Sequence, residues 1–179
     1  MMKNLLFFGL IALLFACKES TPQSKEAAFD PYLAAEHRMG HAKIGMSKAD
    51  LLKFYPNLVA DTIQSESVEI PAWTILDTDG KTLFLALHDD EKTDTITFLI
   101  SENPKMHTVE GIKVGSDYTD LQKAFPDLTI GFAEGYRAES KAKSMAFGIQ
   151  GEVETRETKD GNLEVVQVKK GTVQSLEFD

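Results

Sequence analysis

One pattern occurs twice in this chain, and it limits the fold more than any other feature. The stretch Lys43-Ile44-Gly45-Met46-Ser47-Lys48-Ala49-Asp50-Leu51-Leu52-Lys53-Phe54-Tyr55-Pro56-Asn57-Leu58 returns as Lys113-Val114-Gly115-Ser116-Asp117-Tyr118-Thr119-Asp120-Leu121-Gln122-Lys123-Ala124-Phe125-Pro126-Asp127-Leu128. Lys, Gly, Asp, Leu, Lys, Pro and Leu coincide without a gap, Ile44 matches Val114 and Tyr55 matches Phe125. The chain is therefore an internal duplication with a period of about 70 residues. Whatever one copy builds, the other must be able to build beside it.

Each part of the pattern has a local reason. An apolar residue followed by glycine ends an extended segment where a positive φ is useful. Ser47 and Asp117 then stand where a helix needs an N-cap, and Asp50 and Asp120 follow three residues later, as in a capping box. Pro56 and Pro126 stop the helix, which therefore has about two turns. Leu51, Leu52 and Tyr55 in one copy, and Tyr118, Leu121 and Phe125 in the other, make one apolar face. A helix that short is marginal alone, so this face must pack on a sheet.

Between and after the two copies the texture is that of strands. Ser67 to Ile70, Ala72 to Asp77, Leu83 to His88 and Thr95 to Ile100 follow the first helix. Tyr136 to Lys141, Ser144 to Gln150, Val153 to Thr158, Leu163 to Val168 and Thr172 to Phe178 follow the second. Asp79-Gly80, residues 89–92, residues 159–162 and Lys169-Lys170-Gly171 read as turns. The run Thr82 to His88 is apolar on both sides, which predicts a central strand covered on each face. Ala27 to Met39 reads as a further helix ended by Gly40, with Phe29, Tyr32 and Leu33 on its apolar side. The expected class is α+β: two tandem helix-plus-antiparallel-sheet repeats, over 29–108 and 109–179, either with separate sheets or sharing one continuous sheet.

The first residues speak about location. Lys3 precedes the apolar run Leu5 to Phe15, which is too short to span a bilayer as a mature helix but has the layout of a secretory signal over 1–16. Leu14-Phe15-Ala16-Cys17 resembles the lipobox of bacterial lipoproteins. That resemblance implies acylation of Cys17, with residues 17–28 a polar, lipidated tether, and a place in the cell envelope, at the outer membrane of a Gram-negative bacterium. Cys17 is the only cysteine, so the folded part holds neither a disulfide nor a thiol nucleophile. Lys and Arg number 19 against 28 Asp and Glu, a net charge of −9. So acidic a chain argues against a nucleic-acid partner and against attraction to anionic lipid.

The opening Gly45-Met46-Ser47-Lys48-Ala49-Asp50-Leu51-Leu52 resembles the start of the helix in the SmpA/OmlA-like lipoproteins of the outer-membrane assembly machinery. The tandem arrangement is similar to the β-lactamase inhibitor protein family. These resemblances imply non-catalytic scaffolding or inhibition through a concave sheet, and they carry over no binding residue.

Candidate chemistry is sparse. Asp77-Thr78-Asp79-Gly80 starts like a calcium loop, but Ile75 and Ala86 stand where an EF-hand needs ligands. Asp77, Asp79, His88, Asp89 and Asp90 would make an acidic patch for calcium if neighbouring hairpins aligned them. His37 and His41 have helical spacing for zinc, but Arg38 replaces the zincin glutamate. Neither a nucleophile elbow nor a phosphate loop occurs. Trp73, the only tryptophan, is a core residue on one reading; on the other it is an anchor on an exposed sheet face with Tyr136 and Arg137. The expectation is a membrane-tethered, non-catalytic module that recognises an envelope protein or peptide through a sheet face. The alternatives are a metal- or small-ligand-binding, hydrolytic domain using Asp77 to Asp90, and an inhibitor of a periplasmic hydrolase.

Overall fold

The computed structural model describes residues 29–65, 68–89, 93–132, 135–157, 159 and 163–179. Cys17, the tether and Asp90 lie outside the described residues. The chain runs β1 (Leu33–Ala35), β2 (Arg38–Met39), β3 (Ala42–Lys43), α1 (Lys48–Phe54), β4 (Val59–Ser65), β5 (Val68–Leu76), β6 (Thr82–Asp89) and β7 (Thr93–Ser101). It continues through β8 (His107–Thr108), α2 (Tyr118–Ala124), β9 (Thr129–Phe132), β10 (Tyr136–Ser140), β11 (Met145–Glu157) and β12 (Leu163–Phe178).

The α+β class is thereby corrected. The protein is mostly β, 58% strand and 10% helix, with one sheet of four strands and one of eight. Both helices end after seven residues, whereas the strands run longer than their texture suggests. Val59–Ser65 and Thr129–Phe132 are sheet edges whose side chains are mostly exposed, so they lack the apolar alternation that marks a strand. Pro71 sits inside β5, opposite Thr62.

The helix expected over Ala27 to Met39 is also absent from the described part of that stretch. Its place is taken by β1 and β2, joined through Glu36 and His37, both at positive φ. Tertiary pairing overrides helix propensity here: β1 lies between β2 and β8, which buries Ala34 and Met39 completely. The supposed turn at Lys169-Lys170-Gly171 lies within β12, where Gly171 faces Gly151 and Lys170 faces Glu152.

The large sheet has the order β4-β5-β6-β7-β12-β11-β10-β9, so the strands of the two copies meet where β7 pairs with β12. That join rests on Ser101 opposite Leu176, Ile100 opposite Glu177 and Leu99 opposite Phe178. The repeated motif performs the same task in each copy. Gly45, at φ 81°, donates its N–H to Ile96 O at 2.7 Å; Gly115, at φ 89°, donates to Val173 O at 2.8 Å. Ser47 caps α1, accepting from the Asp50 N–H and donating to the Asp50 carboxylate, while Asp117 makes no side-chain cap bond. Leu51 and Leu121 are fully buried. Tyr55 then meets Phe84 edge-on at 5.6 Å between centroids, and Phe125 meets Phe147 at 5.0 Å. Valine at either glycine would be forced into a left-handed backbone. Gly45→Val and Gly115→Val are each expected to lower the unfolding free energy by about 1–3 kcal/mol, read from urea midpoints.

Both helices and the small sheet pack on the same side of the large sheet. Tyr55 on Phe84, Phe125 on Phe147, Lys48 over Trp73 and His37 against Phe178 all meet residues that alternation places on one face. That face holds the core, including Trp73, Phe84, Leu99, Phe147, Leu176 and Phe178. Among the described residues, no helix and no strand of the small sheet packs on the opposite face. Leu83 and Leu87, which alternation points to that opposite face, are nonetheless 4% and 7% exposed, so the run Thr82 to His88 is buried on both sides as expected, although neither a helix nor a small-sheet strand covers the second one.

Candidate functional site: the uncovered face of the large sheet

Following the register across the strands gives the membership of the uncovered face. Asp61, Ala72, Leu87 and Phe98 lie in one row, and Ile100, Glu177, Ala146 and Glu139 in another. A third row holds Ser175, Gly148 and Arg137. Register shifts beside Leu87 and His88 in one copy, and beside Gly148 and Ile149 in the other, increase the local bend on both sides of the join. The result is a groove of about 1010 Å³. Its floor mixes Ile63, Ile70, Leu87, Phe98 and Ile100 with Arg137, Ser175 and Glu177.

The two copies contribute different chemistry. Most of the apolar side chains come from β4 to β7, with Ile149 of β11 and Tyr136 of β10 added from the second copy. At the polar end, Arg137 Nε donates to Glu177 Oε2 at 2.8 Å and Nη1 to Glu139 Oε1 at 2.8 Å. Ser175 Oγ donates to the other Glu177 oxygen at 2.6 Å and accepts from the Gly148 N–H at 3.2 Å. The Arg137 guanidinium lies 6.0 Å from the centre of the Phe98 ring, at the outer limit of a cation–π contact, and links the two halves. Glu177, with a side chain 12% exposed, has both oxygens occupied, whereas Glu139 remains 45% exposed.

The expected anchor set is only partly brought together. Trp73 is 1% exposed and stands on the helix side, its ring stacked on His88 at 4.1 Å with Lys48 Nζ 5.5 Å from its centre. It is therefore not a surface anchor. Tyr136 shares that side by alternation, packs against the core and meets Phe132 edge-on at 5.6 Å. Tyr136 nevertheless lines the groove together with Arg137, whereas Trp73 does not. Phe98, Ile100, Ser175 and Glu177 were not singled out by their types; the run Phe98-Leu99-Ile100, apolar at three successive positions of a strand, is the signal that both faces of β7 are apolar.

Of the metal set, Asp77 and Asp79 are not brought to His88, and Asp90 lies outside the described residues. Asp77 Oδ1 accepts from the Asp79 and Lys81 N–H groups at 2.8 and 3.0 Å, and Lys105 Nζ bridges Asp77 and Asp79 at 2.9 and 2.7 Å. A lysine ammonium thus stands where a cation would. His88 lies six residues along β6 from Thr82, which pairs with Leu76 next to that turn; this is about 20 Å away at ~3.3 Å per residue. No group of three His, Cys, Asp or Glu among the described residues could hold a metal ion. His37 and His41 do not form a pair either: His41 lies between the rings of Phe29 and Phe54, at 3.6 and 4.2 Å, and His37 faces Phe178.

Lys105, followed by the Lys81 and Asp79 N–H groups, holds the Asp77 carboxyl below the usual carboxylate range. A carboxylate with a depressed folded value contributes stability above its ordinary range and loses it as pH falls through the folded value. Asp77→Asn is accordingly expected to be less stable than the parent at pH 7, with the gap closing as pH falls below the ordinary carboxylate range. Thermal melts of the two proteins across that range test this.

No family model matches the chain, and no curated protein matches it. Among solved structures, it is similar to the crystal structure of the uncharacterized protein yfeY from Escherichia coli, with a TM-score of 0.50 and 12% identity over 83% of this chain and 93% of that one. At that identity the likeness is one of fold.

Proposed function

We propose that this chain is a non-catalytic binding module of the bacterial cell envelope, tethered to the membrane through acylated Cys17, which takes a protein or peptide partner on the uncovered face of its large sheet. One observation carries the reading. Ile63, Ile70, Phe98 and Ile100 sit half-buried in a groove that no element among the described residues fills, so a partner could remove their remaining apolar surface from water. The paired charges of Arg137, Glu139 and Glu177 beside them suit orientation of a partner better than chemistry. Glu177 and Arg137 are each committed to fixed partners, and the Ser175 hydroxyl is tied into the same network between Glu177 and the Gly148 N–H. No helix among the described residues is long and apolar enough to cross a membrane, and the lipobox-like Leu14-Phe15-Ala16-Cys17 supports an acyl anchor.

Photocross-linking in cells, from Ile63 and Gln174 in the groove and from the helix-side position Phe54 as control, tests the partner. One dominant envelope protein captured from the two groove positions and not from Phe54 is the expected result. Capture from Phe54 alone, or from none of the three, removes the reading. Cys17→Ser tests the anchor: the protein is expected to leave the membrane fraction.

A further inference from the structure

We infer that the groove takes a stretch of polypeptide with apolar side chains at one end and a lysine or arginine at the other. This rests on the reading of the uncovered face as a binding surface and adds the chemistry of its occupant. The argument starts from charge. Among the described residues, Glu102 and Glu177 line the groove with Arg137 as its one cation, and Glu139 hangs on that guanidinium from its rim, so three carboxylates face one positive group. Glu177 uses both its oxygens within the fold, and its bond to Arg137 neutralises that charge locally. Exposed Glu102 and half-exposed Glu139 are left as an excess of negative charge. A phosphate or carboxylate entering here would meet like charge, whereas an ammonium or guanidinium would find acceptors already in place.

Polarity is laid out along the groove. Ile63 and Ile70 stand at the end built by β4 and β5 and Phe98 and Ile100 at the middle, while the end built by β12, β11 and β10 carries Arg137 with Glu139 and Glu177, beside Tyr136 and Ile149. From β4 to β10 is six strand spacings, about 29 Å at ~4.8 Å each. An extended segment of about nine residues covers that length. Its apolar half would rest on β4 to β7, and its basic side chain would reach Glu139 on β10 and Glu102, which follows β7 at the join. The order matters, since the reverse placement would bury a cation among isoleucines.

The test uses the full chain, purified with its own N-terminus in a mild detergent, and three fluorescent nine-residue peptides read by anisotropy. One carries Phe, Leu and Ile at one end and Lys at the other, the second has Glu in place of Lys, and the third has Ser in place of the apolar residues. The first is expected to bind at least about tenfold more tightly than either of the others. Glu102→Lys, at an exposed position that leaves the melt unchanged, is expected to weaken it about fivefold or more, and Phe98→Ser likewise. Equal or tighter binding of the acidic peptide, indifference to both substitutions, or no binding of the first peptide overturns the inference. If cross-linking from Ile63 and Gln174 still captures one envelope protein in that case, the groove binds a partner of other chemistry, and only the basic–apolar assignment falls.

Discussion

Trp73→Ala is expected to cost about 3–5 kcal/mol of folding stability, the largest loss of any single side-chain truncation considered for this chain. The ring is fully enclosed on the helix side of β5, between Lys48 at the start of α1 and His88 on β6. Its removal takes away the apolar contact, the stack on His88 and the cation over its face, and leaves a cavity that the flanking strands cannot close, because each is held by its ladder. Trp73→Phe keeps the stack and part of the volume, and is expected to cost less than half as much. Urea unfolding of the three proteins makes the measurement. A surface anchor would behave in the opposite way, losing partner binding with stability intact; such a result for Trp73→Ala would contradict the packing described above.

Gly151→Val is the second large effect, at about 2–4 kcal/mol. In β11 this residue faces Gly171 of β12, and a Cβ built on it would lie 2.0 Å from the Lys170 carbonyl oxygen and 2.5 Å from the Gly171 Cα. Those are backbone atoms fixed by the pairing on either side, so a side chain there must part the two strands rather than turn aside. Gly131→Ala is the control: it lies on edge strand β9, where a Cβ meets nothing within 4 Å, and is expected to change stability by less than about 0.5 kcal/mol. The pair separates a requirement for close approach from the general effect of replacing glycine in a strand.

What could be read from the residues was local. The glycines of the repeated motif, the Ser47 cap, the prolines that end the helices and the apolar faces of Leu51 and Leu121 each follow from chemistry within a few positions, and the structure places them accordingly. The errors came where distant pairing decides. Ala27 to Met39 carries enough helical character to suggest a helix, and only β8, about 70 residues later, turns part of it into strand. The edge strands β4 and β9 hide because an edge keeps few apolar side chains. The mostly β class follows from those omissions, since each added strand to a sheet whose helices were already counted.

The groove was harder still to foresee. Arg137 was singled out for its residue type, but its partners Glu177 and Glu139 are 40 and 2 residues away, and the side of the sheet it occupies depends on register. Trp73 misled for the same reason: a large aromatic fits both a core and an interface, and only the register across β5, β6 and β7 decides between them. Asp77 and Asp79 resembled ligands because the same oxygens that hold a cation also hold a turn and a lysine.

The join between β7 and β12 has a further meaning. Counted outward from it, each copy lays down its strands in the same order, last to first, so half a turn about that seam exchanges one copy for the other. This is the geometry of a two-fold homodimer written into a single polypeptide. A molecule with one copy would have to find its twin, at a cost set by concentration, and any groove across the axis would present two identical halves. Fusion removes both conditions: the halves are always together, and each is free to change without the other. Phe98 and Ile100 in one half, against Ser175 and Glu177 in the other, are the outcome, a surface that has lost its symmetry and so can tell the two ends of a guest apart.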